Sequence, residues 1–292
     1  MEIRLLRYFW VVAEEGTFSK AAHVLNITQP TLSRQIRELE ESLGVQLLER
    51  HPQGLQLTQE GLFLKERAAE ILLLDNKLEQ SFARKGREMT GSLTIGCVEA
   101  DNSDTVAMML EEFLADYPQV TFELITGTGD LISNQLEKGI LDVALLLEPI
   151  TLKNVQSFVL PRREKWGLLV STDSILAQRR HITPADISGL PLLISARKEV
   201  QQMLAEWAGL EAKELNTVGN FNLIFNVFSL VENRVGAALT IEGAVLNRQS
   251  LRTKFVPLEP EIGTQCRLVW KERIHTPVVK EFIQRFKLAF QA

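Results

Sequence analysis

Between Phe18 and Arg37 the chain reads FSKAAHVLNITQPTLSRQIR, with Lys20, Arg34 and Arg37 but no Asp or Glu. Gln29, Thr31, Ser33, Arg34 and Arg37 crowd hydrogen-bonding groups into one short segment, too many for a packed face. Their chemistry suits DNA: Gln matches adenine edges, Arg matches guanine edges or phosphate, and Ser and Thr match either. The segment is +3 in a chain that is −5 overall, so positive charge is local, where phosphate contacts need it. The candidate DNA-contacting set is Lys20, Thr28, Gln29, Pro30, Thr31, Ser33, Arg34 and Arg37. Arg50 and His51 join it from a later turn, although His51 alone reads equally well as an inert solvated residue.

Two helices joined by a tight break must position these groups. Ser19 to Leu25 has the first helical pattern and Asn26-Ile27-Thr28 is the break. Leu32, Ile36 and Leu39 mark one face of the second helix. Thr28 is an N-cap residue type, and Pro30 is tolerated in a first turn, where its missing N–H is not needed. This is helix-turn-helix spacing, which lays the second helix in the major groove. Small two-helix corners occur in many folds, and the polar row is what favours the DNA reading. Upstream, Ile3, Leu6, Phe9, Trp10 and Ala13 mark another helix ending near Gly16. Downstream, residues 45–50 and 55–58 flank the turn-rich His51-Pro52-Gln53-Gly54, a wing.

From Thr58 to about Arg87 the sequence predicts one long helix. Leu57, Leu64, Ile71 and Leu78 recur every seven residues, so Leu64, Ile71 and Leu78 are expected to pair with a second copy of the chain. The competing reading is a helix packed on its own domain. Gly86 to Gly91 is polar and reads as a hinge.

Beyond it strands and helices alternate. Strands are predicted at 93–98, 120–125 and 143–147, with helices at 105–115 and 130–138 between them. This βαβαβ order calls for a parallel sheet. A second group follows: strands at 167–170, 191–194, 212–218 and 237–240, helices at 200–208 and 223–232, then a strand at 267–270 and a helix at 277–290.

Length and composition bound the rest. With 292 residues, 45% hydrophobic and 24% charged, the chain has the make-up of about two globular domains. Cys97 and Cys266 form neither a disulfide framework nor a zinc spacing. Two buried thiols is the ordinary reading, and a redox pair the lesser one. His23, His51, His181 and His275 are scattered without metal spacing, no nucleophile setting is recognisable, and no cofactor or metal is expected. The N-terminus does not read as a signal peptide and no apolar run spans a membrane, so a cytoplasmic location without membrane partner is expected.

The chain resembles the LysR-type transcriptional regulators over nearly its whole length. The resemblance rests on Leu5-Arg7-Tyr8-Phe9, on Glu15 through Ala22, on Leu25 and Thr28 through Ile36, then on Leu39-Glu40, Leu43-Gly44, Leu47 through Arg50, Leu57-Thr58 and Gly61. Further on, Leu93 through Gly96, Phe113, Tyr117-Pro118-Gln119-Val120, Gly139 and Leu141 through Ala144 look like that family's effector domain.

The resemblance implies an N-terminal all-α winged helix-turn-helix (residues 1–58), a dimerising linker helix (59–88) and a two-lobed α/β effector domain like type 2 periplasmic binding proteins (89–292). The first lobe would be 92–161 plus 267–292 and the second 162–266, crossing near 160–164 and 262–266. It implies a dimer, or a tetramer built as a dimer of dimers, with operator DNA, a small effector and RNA polymerase as partners. Carried over by position, the interlobe effector residues are Val98, Glu99, Ala100, Asp101 and Ser103, Gly127 and Thr128, Ser195, Ala196 and Arg197, and Asn220, Phe221 and Asn222. Many relatives place Ser or Thr after the first strand. Glu99, Asp101 and Asp104 stand there instead; three acids disfavour an anion unless they serve as helix caps or are offset by Arg197 and Lys198 on the opposite lobe, so the effector's charge stays open. The alternative function is an enzyme or solute-binding α/β domain with an appended DNA-binding module.

Overall fold

The computed structural model describes residues 2–51, 54–82, 89–246 and 250–290. It divides into two compact units, 1–85 and 86–292. In the first, α1 (Ile3–Glu15), α2 (Phe18–Val24) and α3 (Gln29–Leu43) surround Phe9, Val12, Ala21, Leu32, Ile36 and Leu39, all buried. The three-to-four spacing of these residues puts them on facing stripes. Gly44 ends α3 at φ 69°, a left-handed conformation that costs little without a Cβ. Strands β1 (Leu48–His51) and β2 (Gly54–Leu57) pair antiparallel as the wing.

Helix α4 (Gln59–Phe82) packs back on α1. Ala68 and Leu72 are buried beneath it, and two ion pairs tie its flanks: Lys65 to Glu14 at 3.0 Å and Asp75 to Arg7 at 3.1 Å. Gly61 permits the approach, because a Cβ there would overlap the Leu47 carbonyl oxygen. Of the segment read as a hinge, 86–91, residues 86–88 lie outside the described residues.

In the second unit β3 (Gly91–Cys97) lies between β4 (Val120–Thr126) and β5 (Val143–Leu147), all parallel. Crossover helices α5 (Ser103–Asp116) and α6 (Gly129–Glu137) connect them, as the alternating pattern requires. The long β6 (Val155–Ser171) leaves this sheet and enters a second one. There it pairs with β9 (Ala237–Ile241) and β10 (Thr253–Pro257), while β7 (Leu192–Ser195) runs parallel between β9 and β8 (Thr217–Phe221). Strand β11 (Gly263–Lys271) runs antiparallel beside β6 and β5, with a register shift at Gln265/Arg267. The two sheets define two lobes. Helix α7 (Lys198–Ala208) and the short α8 (Val227–Glu232) belong to the second. Helix α9 (Pro277–Phe290) returns to the first, where Phe282 meets Phe113 edge-on at 5.4 Å.

Two expected elements are corrected. The strand expected at 212–218 starts later. Residues 212–214 form a 3₁₀ turn because Glu211 N donates to the Glu214 carboxylate at 2.7 Å, a local bond that competes with extended pairing. The helix expected from 223 begins at Val227; before it the amides of Leu223 and Ile224 donate to the Asn222 and Glu99 side chains. The first half of β6 and all of β10 were not expected: charged Arg162-Arg163-Glu164-Lys165 hides the alternation of a crossing strand.

Candidate functional site

Helix α3 exposes the polar row. The Thr28 hydroxyl accepts from Thr31 N at 3.4 Å, capping the helix, and Pro30 occupies its first turn. Gln29, Thr31, Arg34 and Arg37 are exposed, and Gln29 Nε2 donates to Ser33 Oγ at 2.9 Å, so the two amide-hydroxyl groups form one polar edge. Lys20 on α2 is exposed as well. Among the described residues none of Lys20, Arg34 and Arg37 has a carboxylate partner. Leu32, Ile36 and Leu39 anchor the opposite face. The side chains of Arg50 and His51 lie outside the described residues.

Linker helix α4 does not follow the heptad reading throughout. Leu64 packs against the core of its own winged domain, with Ala68 and Leu72 on the same side. The exposed apolar stripe is Phe63 (63%), Ile71 (37%), Leu74 (39%) and Leu78 (58%). Leu64 is half-buried against its own domain, so it offers a partner less surface than Ile71, Leu74 or Leu78.

The second unit holds a cleft of about 460 Å³ between its lobes. It lies beyond the carboxyl ends of β3, β4, β5 and β7, where open α/β sheets bind ligands. Val98, Glu99, Gly127 and Thr128 line it from the first lobe, and Ser195, Ala196, Arg197, Phe221 and Asn222 from the second. Thr128 caps α6, accepting from Leu131 N at 3.3 Å. The Glu99 carboxylate crosses the cleft to accept from Ile224 N at 2.8 Å. Burial raises the Glu99 pKa, and this hydrogen bond partly offsets the rise. Arg197 Nε stands 3.9 Å from both the Asp130 and Glu199 carboxylates, yet it is buried without a hydrogen-bond partner.

Four expected lining residues fall elsewhere. Ala100 is buried in the core. Asp101 pairs with Arg162 at 2.9 Å, and Asp104 pairs with the same guanidinium, so neither acid charges the cleft. Ser103 opens α5 away from the wall. Asn220 alternates with Phe221 along β8, so it faces outward, donating to Ile194 O at 3.3 Å. The structure adds walls that the position-by-position reading missed: Leu147, Glu148 and Pro149 after β5, Trp166 and Thr264 on the crossing strands, and Met203 on α7. The end of β5 was findable, since it is a third parallel strand end at the same crevice. The crossings were expected near 160–164 and 262–266, but not that Trp166 and Thr264 there would face the cleft. Trp166 Nε1 donates to Thr264 Oγ1 at 2.7 Å, and Arg267 pairs with Glu148, so both polar groups are satisfied at the cleft floor.

Comparison with known proteins finds a family match for each of the two units. Residues 3–62 match the family described as bacterial regulatory helix-turn-helix protein, lysR family, and residues 86–291 match the LysR substrate binding domain. The chain is 28% identical over 303 residues to the HTH-type transcriptional regulator YtlI of Bacillus subtilis, covering all of this chain and 95% of that protein. It is 29% identical over 289 residues to the Hca operon transcriptional activator HcaR of Escherichia coli, covering 97% and 96%. Among solved structures, CbnR superposes with a TM-score of 0.78 at 22% identity over 99% of each chain. Full-length CbnR complexed with its target DNA gives 0.76 at 22% identity, covering 99% of this chain and 100% of that one.

Proposed function

This chain belongs to the LysR family of DNA-binding transcriptional regulators with an effector-binding domain, and we propose which of its residues carry each task. Gln29 and Arg34 read base edges, and Lys20 and Arg37 hold phosphate. Thr28, Pro30, Thr31 and Ser33 shape the end of the recognition helix, and Arg50 and His51 extend the contact from the wing. The observation that carries this reading is the exposed, acid-free row on α3, backed by three buried aliphatic anchors. Residues 1–58 form the reader, 59–88 the linker and 89–292 the sensor. Copies pair through Ile71, Leu74 and Leu78, giving two readers at the fixed spacing that two half-sites need.

The cleft between the lobes is the effector site. Support comes from its polar groups, which arrive from both lobes, so a ligand that touches both favours one closure state over another. Promoter access for RNA polymerase is then set by how the dimer grips DNA. No described helix is long and apolar enough to cross a membrane, and the protein works in the cytoplasm with the DNA it reads.

Two experiments test this. A gel shift with the DNA upstream of the protein's own gene should show specific retardation that survives competitor DNA. Weak retardation abolished by modest salt would instead mark nonspecific binding. A thermal-shift screen of metabolites should yield hits whose effect disappears on Phe221→Ala. Hits indifferent to that change would move the effector site elsewhere.

A further inference from the structure

Two groups of opposite charge line this cleft from opposite lobes, each with hydrogen-bonding capacity to spare. Glu99, just beyond β3, uses one carboxylate oxygen for Ile224 N, and its other oxygen has no partner among the described residues. Arg197, just beyond β7, buries an Nε–H that no acceptor takes. Its two neighbouring carboxylates stop at 3.9 Å, and both are largely exposed (Asp130 80%, Glu199 58%), so solvent screens them. A buried unpaired donor asks for an acceptor from a ligand or a water.

The surrounding charges decide between ligand classes. Among the described lining residues Arg197 is the one cation. Glu148 is paired with Arg267, and Asp130 and Glu199 are solvent-screened, so Glu99 is the lining acid that is both half-buried and without a cationic partner, and a simple anion leaves it uncompensated. A simple cation suits Glu99 but leaves the Arg197 Nε–H unpaired. The walls between the two groups are apolar: Trp166, Met203, Phe221, Leu239 and Ile241. At about 460 Å³ the cleft has room for a bulky side chain besides the two charged groups.

Accepting the cleft as the effector site, we propose that it takes an amino acid-like zwitterion with a large apolar side chain. Its carboxylate accepts from Arg197 Nε, its ammonium is held by Glu99, and its side chain packs on Trp166 and Phe221. One net-neutral ligand then satisfies both lobes at once, which is what couples binding to lobe closure.

The test uses three molecules with one indole body and different charges: L-tryptophan, tryptamine and indole-3-propionate. Each is titrated calorimetrically into the full-length chain. Tryptophan should bind at least tenfold tighter than either single-charge analogue. Glu99→Gln should bring tryptophan down towards indole-3-propionate while sparing or strengthening the latter. Arg197→Gln should bring tryptophan down towards tryptamine. Circular dichroism and a thermal melt of each variant confirm that the fold is kept, and Glu99→Asp, which retains the charge, should recover part of the preference. Tryptamine or indole-3-propionate binding as tightly as tryptophan overturns the proposal. If that binding is also lost in Phe221→Ala, the effector-cleft reading stands and only the zwitterion falls. No heat from any of the three likewise overturns the zwitterion, and the metabolite screen then judges the cleft by itself.

Discussion

The carboxylate of Glu99, at the end of the first strand of one lobe, accepts a hydrogen bond at 2.8 Å from the backbone N–H of Ile224 in the other lobe. One side chain thus bridges the cleft from which it lines the wall. The bond falls three residues ahead of helix α8, on the loop that carries Asn222 and Leu223 into the cleft wall. A ligand that competes for Glu99 acts on the cleft and on the contact that spans it.

On helix α3, Gln29→Ala should cost about 1–3 kcal/mol of discrimination at one or two base pairs, the range for a side chain reading a base edge. Its amide is exposed and already oriented by Ser33. Arg37→Ala should instead weaken binding to all sequences alike and lower the salt slope by about one unit. Binding isotherms on operator and scrambled DNA at several salt concentrations separate the two. An unchanged sequence preference in Gln29→Ala would displace the recognition helix from the groove.

Ile71→Asp combined with Leu78→Asp should split the oligomer while leaving the winged domain folded, because both side chains are exposed in the single chain. Leu64→Asp should do the reverse and lower the melting temperature, since an unpaired carboxylate would sit against that domain's apolar cluster. Light scattering and a thermal melt on each variant distinguish the outcomes. An intact oligomer in the double variant would place the seam elsewhere.

Neither thiol should react in the folded protein. Burial pushes the Cys97 thiol up to about 12 and raises Cys266 as well, so the nucleophilic thiolate is scarce at neutral pH. The two strands that carry them, β3 and β11, are separated by β5, a span of roughly 9–10 Å from strand spacing, beyond disulfide reach. Iodoacetamide at pH 8 should label them only after denaturation. Rapid labelling of the native chain would reopen the redox reading.

Glu164, buried where β6 crosses between lobes, accepts from the Asn102 backbone N at 3.2 Å and from Asn102 Nδ2 at 3.0 Å. Burial raises its pKa above the ordinary glutamate value, the nearby Asp101 charge adds to the rise, and the hydrogen bonds offset part of it. A carboxyl whose pKa is raised on folding contributes stability below its unfolded pKa and loses it as pH climbs through the raised value. Glu164→Gln, which keeps an acceptor for Asn102, should therefore flatten the decline in melting temperature from about pH 5 upward. A steeper decline in the variant would show that the charged form is the one the fold prefers.

The recognition helix was legible in the sequence because its determinants are local. A capping Thr28, a first-turn Pro30 and three aliphatics at helical spacing define a helix and its exposed face wherever it docks. The parallel order of β3, β4 and β5 was legible for a similar reason, since alternating strands and helices admit few connections. Tertiary structure alone decided the rest. Leu64 and Ile71 occupy the same heptad position, yet only the folded domain shows that Leu64 is half-buried against its own core while Ile71 is exposed. Asp101 and Glu99 are both acids after one strand, but Arg162, sixty residues away in sequence, neutralises Asp101 and leaves Glu99 to the cleft. Trp166, Glu148 and Thr264 join the wall because β6 and β11 cross between the lobes; the crossings were expected near 160–164 and 262–266, but which side chains they turn to the cleft was not. Periodicity records what a residue does within its own element. Which charges meet, and which apolar faces are already covered, depends on partners far along the chain.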